Sequence, residues 1–396
     1  MVAVNGAVYG IILSAIFIDI LTLIIVGIAW PFMKKRRRYR KDNLPNVSII
    51  IPCYNEEKNI ANTIKHAFNQ THIPKKVIVI DDFSTDKSYE ICISLIKKYP
   101  NLIVEKQKEN KGKAFNITYA LNKYSLEEII IVLDADTFIS KNYIEEIIKP
   151  FINKRVVIST GISIPVKHKN FFGRVIYNGS VFQYKFFAFR KQAQHYRNAI
   201  SVVCGDSAAY RTSFLREMNG FPLGTQTEDM DLTWLALEKG YRISFQRKAR
   251  ATSVDAGTFK GHWKQITRWY SGFFQGLFKH GRQLTKAKPL LFTTLIPSYF
   301  DSFIYAMSFL IMPFVFFLYK PFFIWFFTAD LIFTSIAVLL VDWKNLIHIM
   351  EIYMIKFLWS FAWLYAGAKT AVQFLGGKRY WGGKWDRSSY YKGLRF

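Results

Sequence analysis

The stretch from Glu128 to Thr137, E-I-I-I-V-L-D-A-D-T, constrains the fold more than any other. Ile129 to Leu133 is an unbroken apolar run, mostly β-branched, and reads as a strand buried on both faces. It stops abruptly at Asp134-Ala135-Asp136. Side chains two apart on extended backbone point the same way. Both carboxylates therefore face one side, at the strand end where open α/β sheets bind ligands. Two such charges repel unless a cation sits between them, so a divalent metal held by Asp134 and Asp136 is the economical reading. A strand running into a solvated Asp turn is the plainer alternative.

The segments before it repeat the pattern. Val47 to Ile51 reads as a strand turning at Pro52-Cys53-Tyr54-Asn55-Glu56, with an amphipathic helix over Glu57 to Asn69. Lys76 to Ile80 is a second strand, ending in Asp81-Asp82-Phe83-Ser84-Thr85-Asp86, where Asp86 suits a helix N-cap. A helix to Tyr99, a strand at Leu102 to Val104 and a helix from Lys113 to Tyr124 lead to Ile129. Repeated β-α units with apolar strands predict a doubly wound, largely parallel, Rossmann-like sheet. Tyr54, Glu56, Asp81, Asp82 and Asp134 would gather at one edge of it. No G-x-G-x-x-G follows the first strand and no G-x-x-x-x-G-K-[ST] occurs, which argues against a dinucleotide dehydrogenase and a P-loop NTPase.

The ends of the chain obey different rules. Val8 to Phe32 is almost wholly apolar and long enough to span a bilayer. Its charges follow it, at Lys34 to Arg38, Arg40 and Lys41, which puts the N-terminus outside and the next domain in the cytoplasm. Three more apolar stretches, 296–318, 321–341 and 346–374, are long enough to span, the last with Glu351, Lys356 and Lys369 that suit lining a pore or lying partly in the interface. The basic tail favours the cytoplasmic side by its charge, whereas strict alternation puts it outside. The excess of 54 Lys and Arg over 28 Asp and Glu suits anionic lipid or anionic substrates, and no nucleic-acid-binding motif accompanies it. Cys53, Cys92 and Cys204 lack metal or disulfide spacing.

Six short motifs then fall in order. P-x-Y-N-E at 52–56, D-D-x-S-T-D at 81–86, N-K-G-K-A at 110–114, D-A-D at 134–136, T-E-D at 227–229 and Q-x-x-R-W at 265–269 together resemble family 2 glycosyltransferases. The last motif marks the membrane-integrated, processive branch of hyaluronan, chitin and cellulose synthases. The resemblance implies a GT-A-type α/β domain inserted between transmembrane helices, and a multi-pass protein of the plasma membrane. It implies a UDP-sugar donor, Mg²⁺ or Mn²⁺, and inverting transfer to a growing polysaccharide that is translocated across the bilayer. The alternative acceptor is a polyprenyl phosphate or other lipid.

By the same resemblance, Asp136 and Asp134 would hold the metal, Tyr54 and Asp82 the base, and Lys113 the donor phosphates or sugar. Glu56, Asp81, Gln265, Arg268 and Trp269 would complete the nucleotide-sugar site. Asp229 would be the general base, with Glu228 beside it, although acids at a helix start also suit the dipole alone. Cys204, Gly205, Asp206 and Ser207, with Trp269, would line the acceptor pocket. For Cys204, a buried structural thiol is the alternative. Just upstream of the last motif the chain reads Asp255-Ala256-Gly257-Thr258, where the family often has Pro before Thr.

The expected boundaries are a span over 1–32, a basic linker over 33–46 and the catalytic domain over 47–260. An amphipathic interface helix occupies 171–198, with Phe182, Phe186 and Phe189 on one face. An interface segment (261–288), C-terminal spans (289–375) and a basic tail (376–396) follow.

Overall fold

The computed structural model describes residues 44–296, 298–299, 302–303, 306–307, 310 and 320–377. The expected first span, the basic cluster at 34–41, most of the stretch 296–318 and nearly all of the tail lie outside the described residues. Strands β1 (Val47–Cys53), β2 (Lys76–Asp81), β3 (Leu102–Lys106) and β4 (Ile129–Val132) pair in parallel in the order β3-β2-β1-β4. Helices α1 (Ile60–Phe68), α2 (Ser88–Leu95) and α3 (Lys113–Lys123) connect them. Ile50, Ile78, Ile130 and Val132 pack into one core, and Ile49, Ile51, Val77 and Ile131 into the core on the other face. Full burial of each such side chain contributes about 2 kcal/mol, which explains strands without polar alternation.

Beyond β4 the sheet is mixed, a correction to the largely parallel expectation. The remaining strands are β5 (Thr137–Ile139), β6 (Val156–Pro165), β7 (Ala209–Arg211) and β8 (Arg242–Ser253), with α4 (Tyr143–Ile148) after β5. β7 runs antiparallel between β4 and β6, β6 pairs with β8 in parallel, and β5 closes the far edge antiparallel to β8. A three-residue strand such as β7 carries too short a pattern for its direction to be read from sequence.

The expected interface helix is continuous, α5 (Phe171–Tyr196). Its Phe182 and Phe186 face Val338 and Ile352 on α9 (Lys320–Asp342) and α10 (Ile349–Leu375). α6 (Thr212–Glu217) and α7 (Glu228–Glu238) precede β8, and α8 (Phe259–His280) carries the Q-x-x-R-W segment. The stretches 321–341 and 346–374 fall on α9 and α10. Among the described residues one helical run, Phe327–Leu375, is long and apolar enough to cross a membrane.

Candidate active site

Sheet register brings distant carboxylates together. β7 lies beside β4, and the contact continues past the strand ends. Val132 N–H donates to the Ala208 carbonyl (3.0 Å) and Asp134 N–H to the Asp206 carbonyl (2.9 Å). Residues 204–206 therefore run alongside Asp134. After Asp136 the chain enters β5, whose pairing with β8 sets Thr137 opposite Ser253. Val254 N–H donates to the Asp136 carbonyl at 3.3 Å, so the end of β8 borders the same point.

The loop at 201–207 is pinned from four sides. Trp234, fully buried on α7, donates its indole N–H to the Ser201 carbonyl (2.8 Å). Cys204 N–H donates to Thr160 Oγ1 (2.8 Å), Lys113 Nζ donates to the Gly205 carbonyl (2.7 Å), and the Tyr143 hydroxyl donates to the Ser207 carbonyl. Asp229, in the first turn of α7, rests on this loop. A Cβ built on Gly205 would stand 2.5 Å from Asp229 Oδ2, closer than real Cβ contacts come. Gly205→Ala is thus expected to push Asp229 aside and lower kcat about 100-fold, with donor KM changing less; steady-state kinetics checks it.

Lys113 is the cation at the centre. Its Nζ lies 2.6 Å from Asp134 Oδ1 and 3.6 Å from Glu228 Oε1. Burial alone would discharge it, but Asp134, Glu228 and Asp229 outweigh that and hold its pKa above the usual lysine value. For Asp229, burial and then Glu228 push the carboxyl up to about 6, against Lys113, the Met230 N–H and Arg268. That value suits a general base near neutral pH. Arg268 Nη1 donates to the Gln226 carbonyl (3.1 Å), just before the T-E-D segment.

One cavity of about 580 Å³ collects most of the expected residues. Lys113, Asp134, Asp136, Cys204, Gly205, Asp206, Glu228, Asp229, Gln265, Arg268 and Trp269 all line it. It continues between α5, α8, α9 and α10 as far as Asp330 and Lys356, which pair at 2.9 Å. Ser207 does not line it: the side chain is fully buried and donates to Asp206 Oδ1 (2.9 Å). Cys204 Sγ sits 3.2 Å from Lys191 Nζ.

Tyr54, Glu56, Asp81 and Asp82 lie at the ends of β1 and β2, off that lining. Glu56 Oε2 accepts from Asn59 Nδ2 (2.9 Å), while its own N–H donates to Ser88 Oγ (2.7 Å). Asp82 closes the loop ahead of α3. Its Oδ1 accepts the Lys111 N–H and its Oδ2 the Gly112 N–H, each at 2.8 Å. Asp81 Oδ1 accepts the Ser84 N–H (3.0 Å), but the buried Oδ2 has no hydrogen-bond partner among the described residues. Burial raises its carboxyl pKa.

Sequence reasoning missed three groups. Asp255 and Tyr184 line the cavity. His280 joins the two site helices: Nε2 meets Asp231 Oδ1 and Nδ1 meets Glu238 Oε1, both at 2.7 Å. An Asp directly after a strand, as at 134, was the available signal for Asp255. The other two had none. Burial opposes the charge on His280, but Asp231 and Glu238 prevail and raise its pKa to about 9. Its contribution to stability is complete below the unfolded pKa of about 6.5 and is lost as pH rises through about 9. Thermal unfolding should show a drop in Tm between pH 8 and 10. In His280→Ala, where Asp231 keeps Lys279 at 2.6 Å but the Glu238 carboxylate loses its His280 partner, that drop should vanish and about 1–3 kcal/mol be lost at pH 7.

Residues 48–218 match the family described as Glycosyl transferase family 2. Residues 48–218 carry a family 2 glycosyltransferase domain. The match ends before T-E-D and Q-x-x-R-W, yet the chain's similarity to curated relatives extends over more of its length. Poly-beta-1,6-N-acetyl-D-glucosamine synthase of Staphylococcus aureus (strain COL) is 24% identical over 258 residues, which is 65% of this chain and 61% of the relative. The Staphylococcus epidermidis synthase of that name is 24% identical over 276 residues, covering 67% and 66%. The chain thus spans about three fifths of the length of the first of these relatives. The fold is shared with a mannosyltransferase from Pyrobaculum calidifontis solved with GDP-Man and Mn2+, at TM-score 0.60 and 19% identity, over 94% of this chain and 99% of that one. A GT-A-like, Rossmann-type mixed sheet is the architecture of the domain.

Proposed function

We propose that this chain is an inverting, cation-dependent transferase that moves a sugar from a UDP-sugar onto a growing polysaccharide and passes the product between its own helices. The observation that carries the reading is the single cavity running from Asp134, Asp136 and Asp229 to the polar pair Asp330–Lys356 between α9 and α10. A membrane-spanning placement of those helices, with the domain in the cytoplasm, fits the apolar run Phe327–Leu375.

The residues fit a divalent cation, Mg²⁺ or Mn²⁺, on the chemistry of the donors. Among the described residues no group of three or more His, Cys, Asp or Glu could hold a metal alone. Two carboxylates completed by substrate phosphates are a usual arrangement for such a cation, and Asp134 and Asp136 supply them. When bound, the cation neutralises charge on the departing diphosphate.

The protein's own residues do the rest. Asp229 accepts the proton of the acceptor hydroxyl as that oxygen bonds to the anomeric carbon, and the bond from that carbon to the diphosphate oxygen breaks. Lys113 and Arg268 stabilise the negative charge on the leaving group. Asp81 Oδ2, buried and without a hydrogen-bond partner among the described residues, would accept a nucleobase N–H. With one base and one displacement, the sugar carbon inverts.

Purified protein in lipid with Mn²⁺ and a panel of radiolabelled UDP-sugars tests this. Labelled polymer that resists organic extraction is the expected product. Label confined to the lipid phase would favour a polyprenyl phosphate acceptor and a single addition.

A further inference from the structure

Asp229 stands in the first turn of α7, and that turn lacks a cap of its own. Thr227 is the N-cap residue, yet its side chain makes no capping hydrogen bond. Its Oγ1 is buried without a hydrogen-bond partner among the described residues. A helix start without such a bond is missing the usual device that fixes where it begins. Here α8 takes over that task.

Both backbone groups of Gln226, the residue before Thr227, are taken by side chains of α8. The Gln226 N–H donates to Gln275 Oε1 (2.9 Å), and its carbonyl accepts from Arg268 Nη1 (3.1 Å). Between these two lies Gly272, where a Cβ would run into the Thr227 side chain. One turn on, a Cβ at Gly276 would stand 3.0 Å from the Trp234 ring. Lys279 then meets Asp231 at 2.6 Å. Positions 268, 272, 275, 276 and 279 fall at i, i+4, i+7, i+8 and i+11, which is one face of a helix. That face is a seat for residues 226–234, and its two glycines leave room for them.

The seat reaches the base by two routes. Gln226 precedes Asp229 by three residues, and the close approach of Gly205 to Asp229 leaves no slack there. Trp234, packed on Gly276, also holds the Ser201 carbonyl (2.8 Å), at the start of the loop against which Asp229 rests. α8 thus carries both the base and its support. Arg268 lines the cavity and takes part in the steps above, whereas Gln275 is 1% exposed and lies off the lining. Gln275 therefore acts on the reaction through Gln226.

We propose that Gln275 is a positioning residue for the catalytic base: by holding the Gln226 N–H it sets where α7 begins, and so where Asp229 stands against Gly205. This rests on the reading of Asp229 as the base and names what holds it.

The test uses the full chain in lipid, with Mn²⁺ and the UDP-sugar found active above. It reads kcat, donor KM and calorimetric UDP affinity per folded protein. Gln275→Met keeps the length of the side chain and removes the accepting oxygen. It is expected to lower kcat about 10- to 30-fold, since a 1 Å misplacement can cost about 100-fold, with donor KM and UDP affinity changed less than about twofold. Gln275→Glu returns an oxygen at the same reach and should recover kcat to within about threefold of the parent. With Asp229→Asn already in place, Gln275→Met should cost less than about a further twofold, because the group it positions no longer takes a proton. If Gln275→Met fails to fold, Gln275→Asn, one methylene short of Gln226, carries the same expectations. A merely structural Gln275 would reduce the yield of folded protein and leave its turnover alone. Unchanged kcat, no recovery in Gln275→Glu, or an equal loss in both backgrounds would overturn the positioning role while leaving Asp229 as the base. Full activity in Asp229→Asn alone would overturn both.

Discussion

Asp229→Asn is expected to lower kcat about 1,000-fold or more while leaving UDP affinity within about threefold, as for a group that acts only in the transition state. The geometry isolates the effect. Asp229 opens α7 against Gly205, and Asn keeps the shape, so no void or clash follows the substitution. Only the capacity to take a proton is lost. In the parent protein the same group sets the acid side of the pH profile. With its carboxyl near 6, activity should fall as pH drops through that value, because the protonated acid cannot act as a base. Steady-state kinetics with calorimetric UDP titration separates the two quantities. A parallel loss of UDP binding and activity would move Asp229 from base to donor ligand.

Chelation of divalent cations should abolish transfer, and added Mn²⁺ or Mg²⁺ should restore it. Asp136→Asn should weaken Mn²⁺ binding about 10- to 100-fold, read from the paramagnetic resonance of bound Mn²⁺ in the presence of UDP and so independent of turnover. The reasoning is electrostatic. Asp134, with Lys113 at 2.6 Å, and Asp136, 7% exposed two residues on, both line the cavity. A diphosphate arriving there brings negative charge to a wall that also holds Asp206, Glu228 and Asp229. Lys113 and Arg268 already face more carboxylates than cations there, so a diphosphate adds to an excess of negative charge. Unchanged Mn²⁺ affinity in the variant would remove Asp136 from the metal set.

The strands that carry the site were legible because both faces are buried. Ile129 to Val132 has no polar position, and such a run has few alternatives to an interior strand covered on both faces. Helix ends were legible to within a few residues; Asp86, read as an N-cap, sits one residue before the cap of α2 and accepts the Ser88 N–H at 3.0 Å. What sequence could not supply was which loops meet. The antiparallel insertion of β7 sets residues 204–206 beside Asp134, and three residues do not announce a direction. The same limit hid Asp255, which accepts the hydroxyl of Tyr184, 71 positions earlier. His280 was hidden because a histidine among aromatics carries no sign of the two carboxylates that charge it. The aromatic stripe of α5 was visible, but its partner was not: α9 and α10 cover it.

The account turns on one base acting once at the anomeric carbon. Nuclear magnetic resonance of the linkage formed from an α-configured UDP-sugar tests this most directly. A β linkage in the product is predicted. An α linkage would mean retention, and would contradict the assignment of Asp229 as the single base.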